Sequence, residues 1–186
     1  MHTQVAIIGA GPAGLLLGHL LKAEGIDCVV IERQTPDYVL SRIRAGVLEQ
    51  VTVGLMERLG LEARLKAEGL VEDGFNLADG ERLIRIDVAK FTGKTVTVYG
   101  QTEITRDLMD AAPERGLEVL YGAEDVALHD IESDAPWVTF RRDGREERVS
   151  ARFIAGCDGF HGPSRKAIPA SVGREYERVY PFGWLG

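Results

Sequence analysis

Two short apolar runs near the start of the chain enclose an amphipathic stretch. Val5–Ile8 and Cys28–Ile31 are continuously apolar, which is typical of strands buried on both faces of a parallel sheet. Between them apolar residues recur with helical spacing, and Gly25 provides a stop signal for the helix. The pattern predicts a strand–helix–strand unit. The helix is expected to face the sheet through Ala13, Leu16, Leu17, Leu20 and Leu21, with Lys22 and Glu24 outward.

The next part of the chain predicts a polar connection followed by helices. Residues 33–44 are polar and too many for a tight turn, so we expect a long irregular segment with a functional role. A helix is predicted from Gly46 to Leu59, ended by Gly60, and a second short helix around residues 61–68. The apolar face of the first of these helices would comprise Val47, Leu48, Val51 and Leu55.

From Gly74 onwards the spacing of apolar residues changes from that of helices to that of strands. Residues 75–77 and 83–86 predict a hairpin that turns at Asp79-Gly80, and residues 95–99 predict another strand. A helix should follow, with Thr102 as its N-cap and its end or a bend near Pro113, because proline lacks the amide donor. Its apolar positions are Ile104, Leu108, Ala111 and Ala112.

The last third predicts a return to the parallel sheet with an antiparallel excursion. Residues 117–121 and 152–155 are expected to be parallel strands. Residues 126–129, 137–141 and 147–151 are expected to be antiparallel, with a turn at Asp143-Gly144. The fold class is therefore α/β, a Rossmann-like domain with a parallel sheet and antiparallel insertions. We expect this domain to span residues 1–175, and residues 176–186 to begin an incomplete second domain, with a strand near 180–186 that leads into further structure.

Composition narrows the classes of partner. The chain has 186 residues, a formal net charge of −7 and no basic block, so we expect neither a nucleic-acid nor a membrane partner. The apolar start from Val5 to Leu21 has no basic leader and is interrupted by glycines, so a signal peptide is not expected. Two lone cysteines, Cys28 and Cys157, favour a reducing cytoplasm over a disulfide framework. No metal site is expected, and the oligomeric state stays open, a homodimer included.

The richest chemical signal is a glycine-rich turn after the first strand. In Gly9-Ala10-Gly11-Pro12-Ala13-Gly14, the first glycine allows a tight turn, the second a close approach of a pyrophosphate, and the third close helix packing. The pyrophosphate would lie on the helix N-terminus. Glu32 follows Gly14 by 18 residues at a strand end, where it can accept hydrogen bonds from a ribose. These positions predict a cofactor that contains ADP.

A second dense segment lies between Gly156 and Arg165. An apolar strand delivers Asp158 at its carboxyl end, the edge where open α/β sheets bind ligands. Gly159 and Gly162 are expected to let the backbone approach a ligand, while His161 and Arg165 offer hydrogen-bond donors. Asp-Gly pairs at 73–74, 79–80 and 143–144 read as turns, so an ordinary turn is the alternative interpretation of this segment.

Four segments together resemble the single-component flavin-dependent aromatic hydroxylases. They are residues 9–14 with Glu32, residues 42–50, residues 99–102 and residues 156–162, and the likeness covers essentially the whole chain. The resemblance implies FAD and NADPH as cofactors. It implies that Arg44 pairs with the pyrophosphate, and that its segment opens a helix beside it. The cofactor-binding positions implied by the motif and the resemblance are Gly9, Gly11, Ala13, Gly14, Glu32, Arg33, Gln34, Tyr38, Arg42, Ile43, Arg44, Ala45, Gly46, Val47, Gln101, Asp158, Gly159, His161 and Arg165.

Within that set, the resemblance assigns Arg33, Gln34, Tyr38, Arg42, His161 and Arg165 to NADPH. It implies a monooxygenase that hydroxylates a small aromatic substrate, 4-hydroxybenzoate, to 3,4-dihydroxybenzoate. No catalytic residue is assigned within this chain, which we expect to be the FAD-binding part, inactive alone and weak in FAD binding. Two alternatives stay open: an NAD(P)-binding dehydrogenase domain, and a non-catalytic nucleotide-binding fragment.

Overall fold

A computed structural model of the chain describes residues 1–42 and 45–183. Its elements in chain order are β1 (His2–Ile8), α1 (Pro12–Ala23), β2 (Cys28–Ile31), α2 (Pro36–Ser41), β3 (Val47–Glu49), α3 (Gln50–Leu59), α4 (Ala63–Glu68), β4 (Leu70–Glu72), β5 (Gly74–Asp79), β6 (Arg82–Asp87), α5 (Val88–Thr92), β7 (Val96–Val98), α6 (Gln101–Glu114), β8 (Glu118–Leu120), β9 (Glu124–His129), β10 (Trp137–Arg142), β11 (Arg145–Gly156) and α7 (Pro163–Lys166). They form two compact units, Met1–Val39 with Arg115–Gly186, and Leu40–Glu114.

The first unit is built on a six-stranded sheet with the order β8-β2-β1-β11-β10-β9. The four strands from β8 to β11 run parallel, and β10 and β9 are antiparallel, which confirms the mixed α/β fold predicted from the sequence. The core of this unit is apolar and well buried, with Ile8, Val29, Phe140 and Val149 all at most 3% exposed. β1 and β2 therefore lie inside the sheet, as their unbroken apolar runs predict.

Strand β11 differs from the sequence expectation of two separate strands at 147–151 and 152–155. It is one strand of 12 residues that pairs antiparallel with β10 through residues 145–150 and parallel with β1 through residues 150–156. No turn signal interrupts residues 145–155, so the chain passes from one partner to the other without a break. The Asp143-Gly144 turn between β10 and β11 is confirmed, with Gly144 at a φ of 73°.

Helix α1 buries a different face from the predicted one. Its buried residues are Gly14, Leu15, Gly18 and His19, whereas Ala13 is exposed and the four predicted leucines are half-buried. A Cβ on Gly18 would lie only 2.8 Å from the Leu117 side chain, so the helix approaches the sheet through its glycines. The predicted end of the helix at Gly25 is confirmed.

The second unit contains two small antiparallel sheets. One has the order β3-β7-β4, and the other is the β5–β6 hairpin predicted at Asp79-Gly80. The predicted helix from Gly46 is wrong at its start, because Val47–Glu49 pairs with β7 as a strand and the helix begins at Gln50. Its face is also corrected, since Val51 is 64% exposed while Met56 and Leu59 are buried.

Three further boundaries refine the sequence reading. The amides of Glu103 and Ile104 donate to the Gly100 carbonyl, so α6 begins at Gln101 and Thr102 lies within its first turn rather than at the N-cap. Helix α6 ends one residue after Pro113, as expected. Gly74 opens β5, so the Asp-Gly pair at 73–74 is not a turn.

Two stretches of the chain differ from the secondary structure that the sequence predicts for them. The polar segment 33–44, expected to be irregular, contains the short helix α2. At the other end, residues 174–183 form no helix or strand, so the strand expected near 180–186 is absent from the described residues of that stretch. Within residues 1–42 and 45–183, no helix is both long and apolar enough to cross a membrane.

Candidate cofactor site

In the first unit, three adjacent parallel strands deliver the predicted site residues to one edge of the sheet. The Gly9 amide, after β1, donates to the Ile31 carbonyl at 2.8 Å, and the Cys157 amide, after β11, donates to the Ile8 carbonyl at 2.8 Å. The chain leaves β1 towards β2 on one side, while β11 lies on the other. The carboxyl edge of a sheet at such a reversal of strand order is where α/β proteins bind ligands.

The turn from β1 into α1 is closed around two glycines. Gly9 has a φ of +103°, which side chains rarely permit, and a Cβ on it would lie 2.6 Å from the Cys157 carbonyl oxygen. A Cβ on Gly14 would overlap the carbonyl oxygen of Gly9, so the first turn of α1 packs directly on the turn before it. Both glycines therefore have the roles in turn and packing that the sequence predicts.

Gly11 presents the open side of this turn. It is the N-cap of α1, and a Cβ built on it would have no atom within 4 Å. The first intrahelical bond runs from the Leu15 amide to the Gly11 carbonyl at 3.0 Å, so the amides of Ala13 and Gly14 precede it. Gly11 has no side chain to cap them, and Pro12 adds no donor. An open surface with helix N-terminal amides fits the pyrophosphate of an FAD molecule.

The Glu32 carboxylate braces the same turn. Its Oε2 accepts a hydrogen bond from the Ala10 amide at 2.8 Å, and its Oε1 accepts one from the Gln34 amide at 2.8 Å. A carboxylate has about four acceptor positions, so two are left for ribose hydroxyls. The sequence predicts a ribose ligand at Glu32, and the structure adds that this side chain also holds the backbone on both sides of the site.

The loop after β11 is organised around Asp158. Its Oδ2 accepts a hydrogen bond from the Ser164 amide at 2.8 Å, and a Cβ on Gly162 would overlap this carboxyl group. Asp158, Gly159 and Arg165 line one cavity of the first unit. Asp158 is therefore more than the side chain of a simple turn, since its carboxylate closes the whole loop up to α7.

The residues that the resemblance assigns to NADPH are spread over several elements. Arg165 lies 4.1 Å from the centre of the Phe160 ring and pairs with Glu175 at 2.8 Å. His161 is exposed and contacts the edge of the same ring. Arg33 and Tyr38 are exposed beyond Glu32, and Gln34 is half-buried. Arg33 and Gln34 lie next to Glu32, and Arg165 is held by its contacts with Phe160 and Glu175. The contact of each of these residues with a nucleotide stays a prediction.

The remaining predicted residues belong to the second unit, apart from Ile43 and Arg44, which lie outside the described residues. Arg42 is exposed. The Gly46 carbonyl accepts a hydrogen bond from the Tyr99 amide at 2.7 Å, and Gln101 begins α6 two residues later. The structure therefore brings residues 45–47 next to 99–101. The described residues that follow this gap lead into β3 and not into the helix expected from Gly46.

Tyr121 is a neighbour of the site that the sequence analysis missed. It follows β8, which is parallel to β2, so both strands end at the edge that carries Glu32. Burial, followed by the negative charge of Glu32, raises the pKa of Tyr121 to about 12. The sequence carries a signal for it, since residues 117–121 have the apolar pattern of a strand of the parallel sheet.

The raised pKa of Tyr121 predicts a loss of stability in alkali. In the unfolded chain this phenol has a pKa near 10.0, so above that pH the unfolded state releases its proton first. The stabilisation is complete below pH 10 and is lost as the pH rises to about 12. Urea unfolding of the unmodified chain and of Tyr121→Phe measures this. The difference between the two free energies of unfolding should change between pH 10 and about 12, and a constant difference would contradict the raised pKa of Tyr121.

Known proteins resemble this chain along its whole length. Residues 2–186 match the FAD binding domain family. The chain belongs to this family. Its whole length is 50% identical to the p-hydroxybenzoate hydroxylase of Acinetobacter baylyi. This chain spans 46% of that enzyme's length, so the match concerns one part of a longer protein.

Solved structures give the same family fold. The anhydrotetracycline hydroxylase OxyS of Streptomyces rimosus superimposes with a TM-score of 0.75 at 28% identity, over 89% of this chain and 33% of that protein. The p-nitrophenol 4-monooxygenase PnpA of Pseudomonas putida has a TM-score of 0.71 at 20% identity, over 85% of this chain and 41% of that one. The second likeness supports the fold alone. The central sheet and its glycine turn are thus those of an FAD-binding domain.

Proposed function

We propose that this chain holds the ADP half of FAD in a flavin-dependent aromatic hydroxylase. The observation that carries the proposal is the Gly9–Gly14 turn, closed by two glycines, open at Gly11 and braced by Glu32. The backbone amides of Ala13 and Gly14 would bind the pyrophosphate, and Glu32 would accept hydrogen bonds from the adenosine ribose. Membership of the FAD-binding family supports flavin over a nicotinamide cofactor at this turn.

The wider set of cofactor residues is part of the same proposal. Arg44 would pair with the pyrophosphate, because a guanidinium fork matches phosphate oxygens. Ala45, Gly46, Val47 and Gln101 would contact the flavin nucleotide. We assign NADPH as the reductant, recognised in part by Arg33 and Arg165, and residues 176–186 as the beginning of a second domain.

The reaction proposed for the natural protein is the hydroxylation of 4-hydroxybenzoate to 3,4-dihydroxybenzoate. The support is the 50% identity to p-hydroxybenzoate hydroxylase along the whole chain. FAD, when bound and reduced, supplies the chemistry that activates dioxygen. The described residues would bind and orient the nucleotide end of that cofactor, and none of them needs to touch the aromatic ring.

Titration with FAD tests the proposal on the chain itself. We expect a saturable change in flavin fluorescence when FAD is titrated at the high protein concentration that weak binding requires. Titration with NAD provides the control, and we expect no competition with FAD. A chain that gives no saturable response to FAD and binds NAD would overturn the flavin assignment and favour the dehydrogenase alternative.

Substrate and reductant need the natural polypeptide that carries these residues. We expect 4-hydroxybenzoate to stimulate its oxidation of NADPH, with 3,4-dihydroxybenzoate as the product on chromatography. Benzoate, which lacks the phenol, is the matched control and should give no hydroxylated product. FAD binding without any stimulated NADPH oxidation would leave a nucleotide-binding domain and reject the hydroxylase activity.

A further inference from the structure

Within the second unit, a buried tyrosine is tied to two helices by a chain of polar contacts. Tyr99 is 3% exposed, and its hydroxyl donates to Asp107 Oδ2 at 2.7 Å. The other oxygen of Asp107 accepts a hydrogen bond from Arg64, whose Nη2 also donates to Glu103 Oε2 at 2.6 Å. These contacts join the end of β7 to α6, through Asp107, and to α4, through Arg64.

The backbone of Tyr99 holds a segment that the proposed function uses. Its amide donates to the Gly46 carbonyl at 2.7 Å. A Cβ on Gly46 would lie 2.6 Å from Gly100 Cα and 2.8 Å from the Tyr99 carbonyl oxygen, so the two segments are in direct backbone contact. The position of Tyr99 therefore fixes both the residues just before β3 and the start of α6, where Gln101 lies.

Electrostatics favour the donor and acceptor roles of Tyr99 and Glu103 in this network. Burial and the hydrogen bond to Asp107 raise the pKa of Tyr99, so its hydroxyl keeps the proton that it donates. Arg64 lowers the pKa of Glu103. The Asp107 side chain is only 9% exposed and needs both of its donors, because a buried carboxylate without partners is costly.

We propose that Tyr99, Asp107 and Arg64 form a positioning network that holds Gly46 and Gln101 in the geometry needed to bind the flavin nucleotide. The proposal deepens the proposed function and rests on it. The three residues act through the backbone that they hold and need no contact with the cofactor. The network would account for a polar chain at this place, where an apolar contact between β7 and α6 would be enough for packing alone.

The test compares Tyr99→Phe and Asp107→Asn with Lys66→Met. Lys66 is the control because it lies on the same helix as Arg64 but pairs with Glu57 at 3.0 Å and Glu62 at 3.7 Å, which are not part of this network. For Tyr99→Phe we expect FAD affinity to fall about tenfold, as for the loss of one hydrogen bond to a charged group. The absorbance spectrum of bound flavin should also shift, because the cofactor environment changes. Lys66→Met should leave affinity and spectrum unchanged.

Amide hydrogen exchange gives a readout that does not depend on the cofactor. The amides of residues 99, 103 and 104 donate to Gly46 or Gly100, and their exchange should be at least about fivefold faster in Tyr99→Phe than in Lys66→Met. A lower melting temperature with unchanged affinity, spectrum and exchange would show a merely structural role and overturn the proposal. If the unmodified chain binds no FAD, the proposed function fails. Exchange then decides alone, with faster exchange supporting the network and unchanged exchange overturning it.

Discussion

Replacing Gly14 by alanine is expected to destabilise the first unit by about 3 kcal/mol or more. The new methyl group would overlap the Gly9 carbonyl oxygen, and neither side of this contact is a flexible side chain. Gly9 cannot retreat, because its own Cα lies against the Cys157 carbonyl, where a Cβ would come within 2.6 Å. The start of α1 must therefore shift away from β1, and the amides of the predicted phosphate site shift with it.

Gly11→Ala is the matched control for this prediction. Its φ of −70° suits any residue, and the added methyl group meets no atom within 4 Å, so the cost in stability should stay below about 1 kcal/mol. FAD binding should nevertheless weaken in both variants, since the Gly11 methyl group would occupy the open side of the turn. Thermal unfolding and FAD titration measure the two effects separately. Equal stability of the two variants would contradict the role given to Gly14 as a packing residue.

The strand–turn–helix–strand order of residues 5–32 could be read from the sequence because each signal is local. Apolar runs, glycine spacing and the acidic residue at the end of β2 depend on neighbours within a few residues. The same holds for the hairpin at Asp79-Gly80 and the turn at Asp143-Gly144, where the backbone itself requires glycine. These features can be predicted without knowing which other segments of the chain pack against them.

The buried face of α1 could not be predicted in the same way, because it depends on the shape of the surface against which the helix packs. The helical spacing of apolar residues predicts a buried face made of the four leucines between residues 16 and 21. The helix instead packs most closely at Gly14 and Gly18, where there is no side chain. Two glycines four residues apart on one helix indicate that another segment packs closely against that face. An analysis of apolar spacing alone does not detect this signal. The half-buried leucines then flank the contact and do not form its centre.

The start of α3 shows a second limit, which concerns pairing between distant segments. Val47 and Leu48 fit a helical stripe, but they pair with Val98 and Thr97 of β7, about fifty residues later. The spacing of apolar residues alone cannot show that Val47–Glu49 pairs with β7. The contacts of Glu32 with the Ala10 and Gln34 amides were hidden for a related reason, since they depend on two loops meeting at the sheet edge.

Replacing Glu32 by glutamine is expected to affect both stability and cofactor affinity. The carboxylate accepts hydrogen bonds from the Ala10 and Gln34 amides, and a glutamine side chain would turn its NH2 group towards one of these donors. One backbone amide would lose its acceptor, at a cost of about 1–3 kcal/mol in stability. FAD affinity should fall about 10- to 100-fold, because the ribose would lose a charged acceptor. Urea unfolding and FAD titration measure the two losses.

Glu146→Gln is the matched control, since it removes the same charge from an exposed position on β11 within the same unit. It should change neither stability nor affinity by a measurable amount. The two losses expected for Glu32→Gln have different causes and can separate. If stability falls while FAD affinity stays that of the unmodified chain, the carboxylate serves only to brace the turn, and the ribose must be bound elsewhere. If affinity falls at a temperature where both variants are fully folded, the carboxylate contributes to cofactor binding as well as to the stability of the turn.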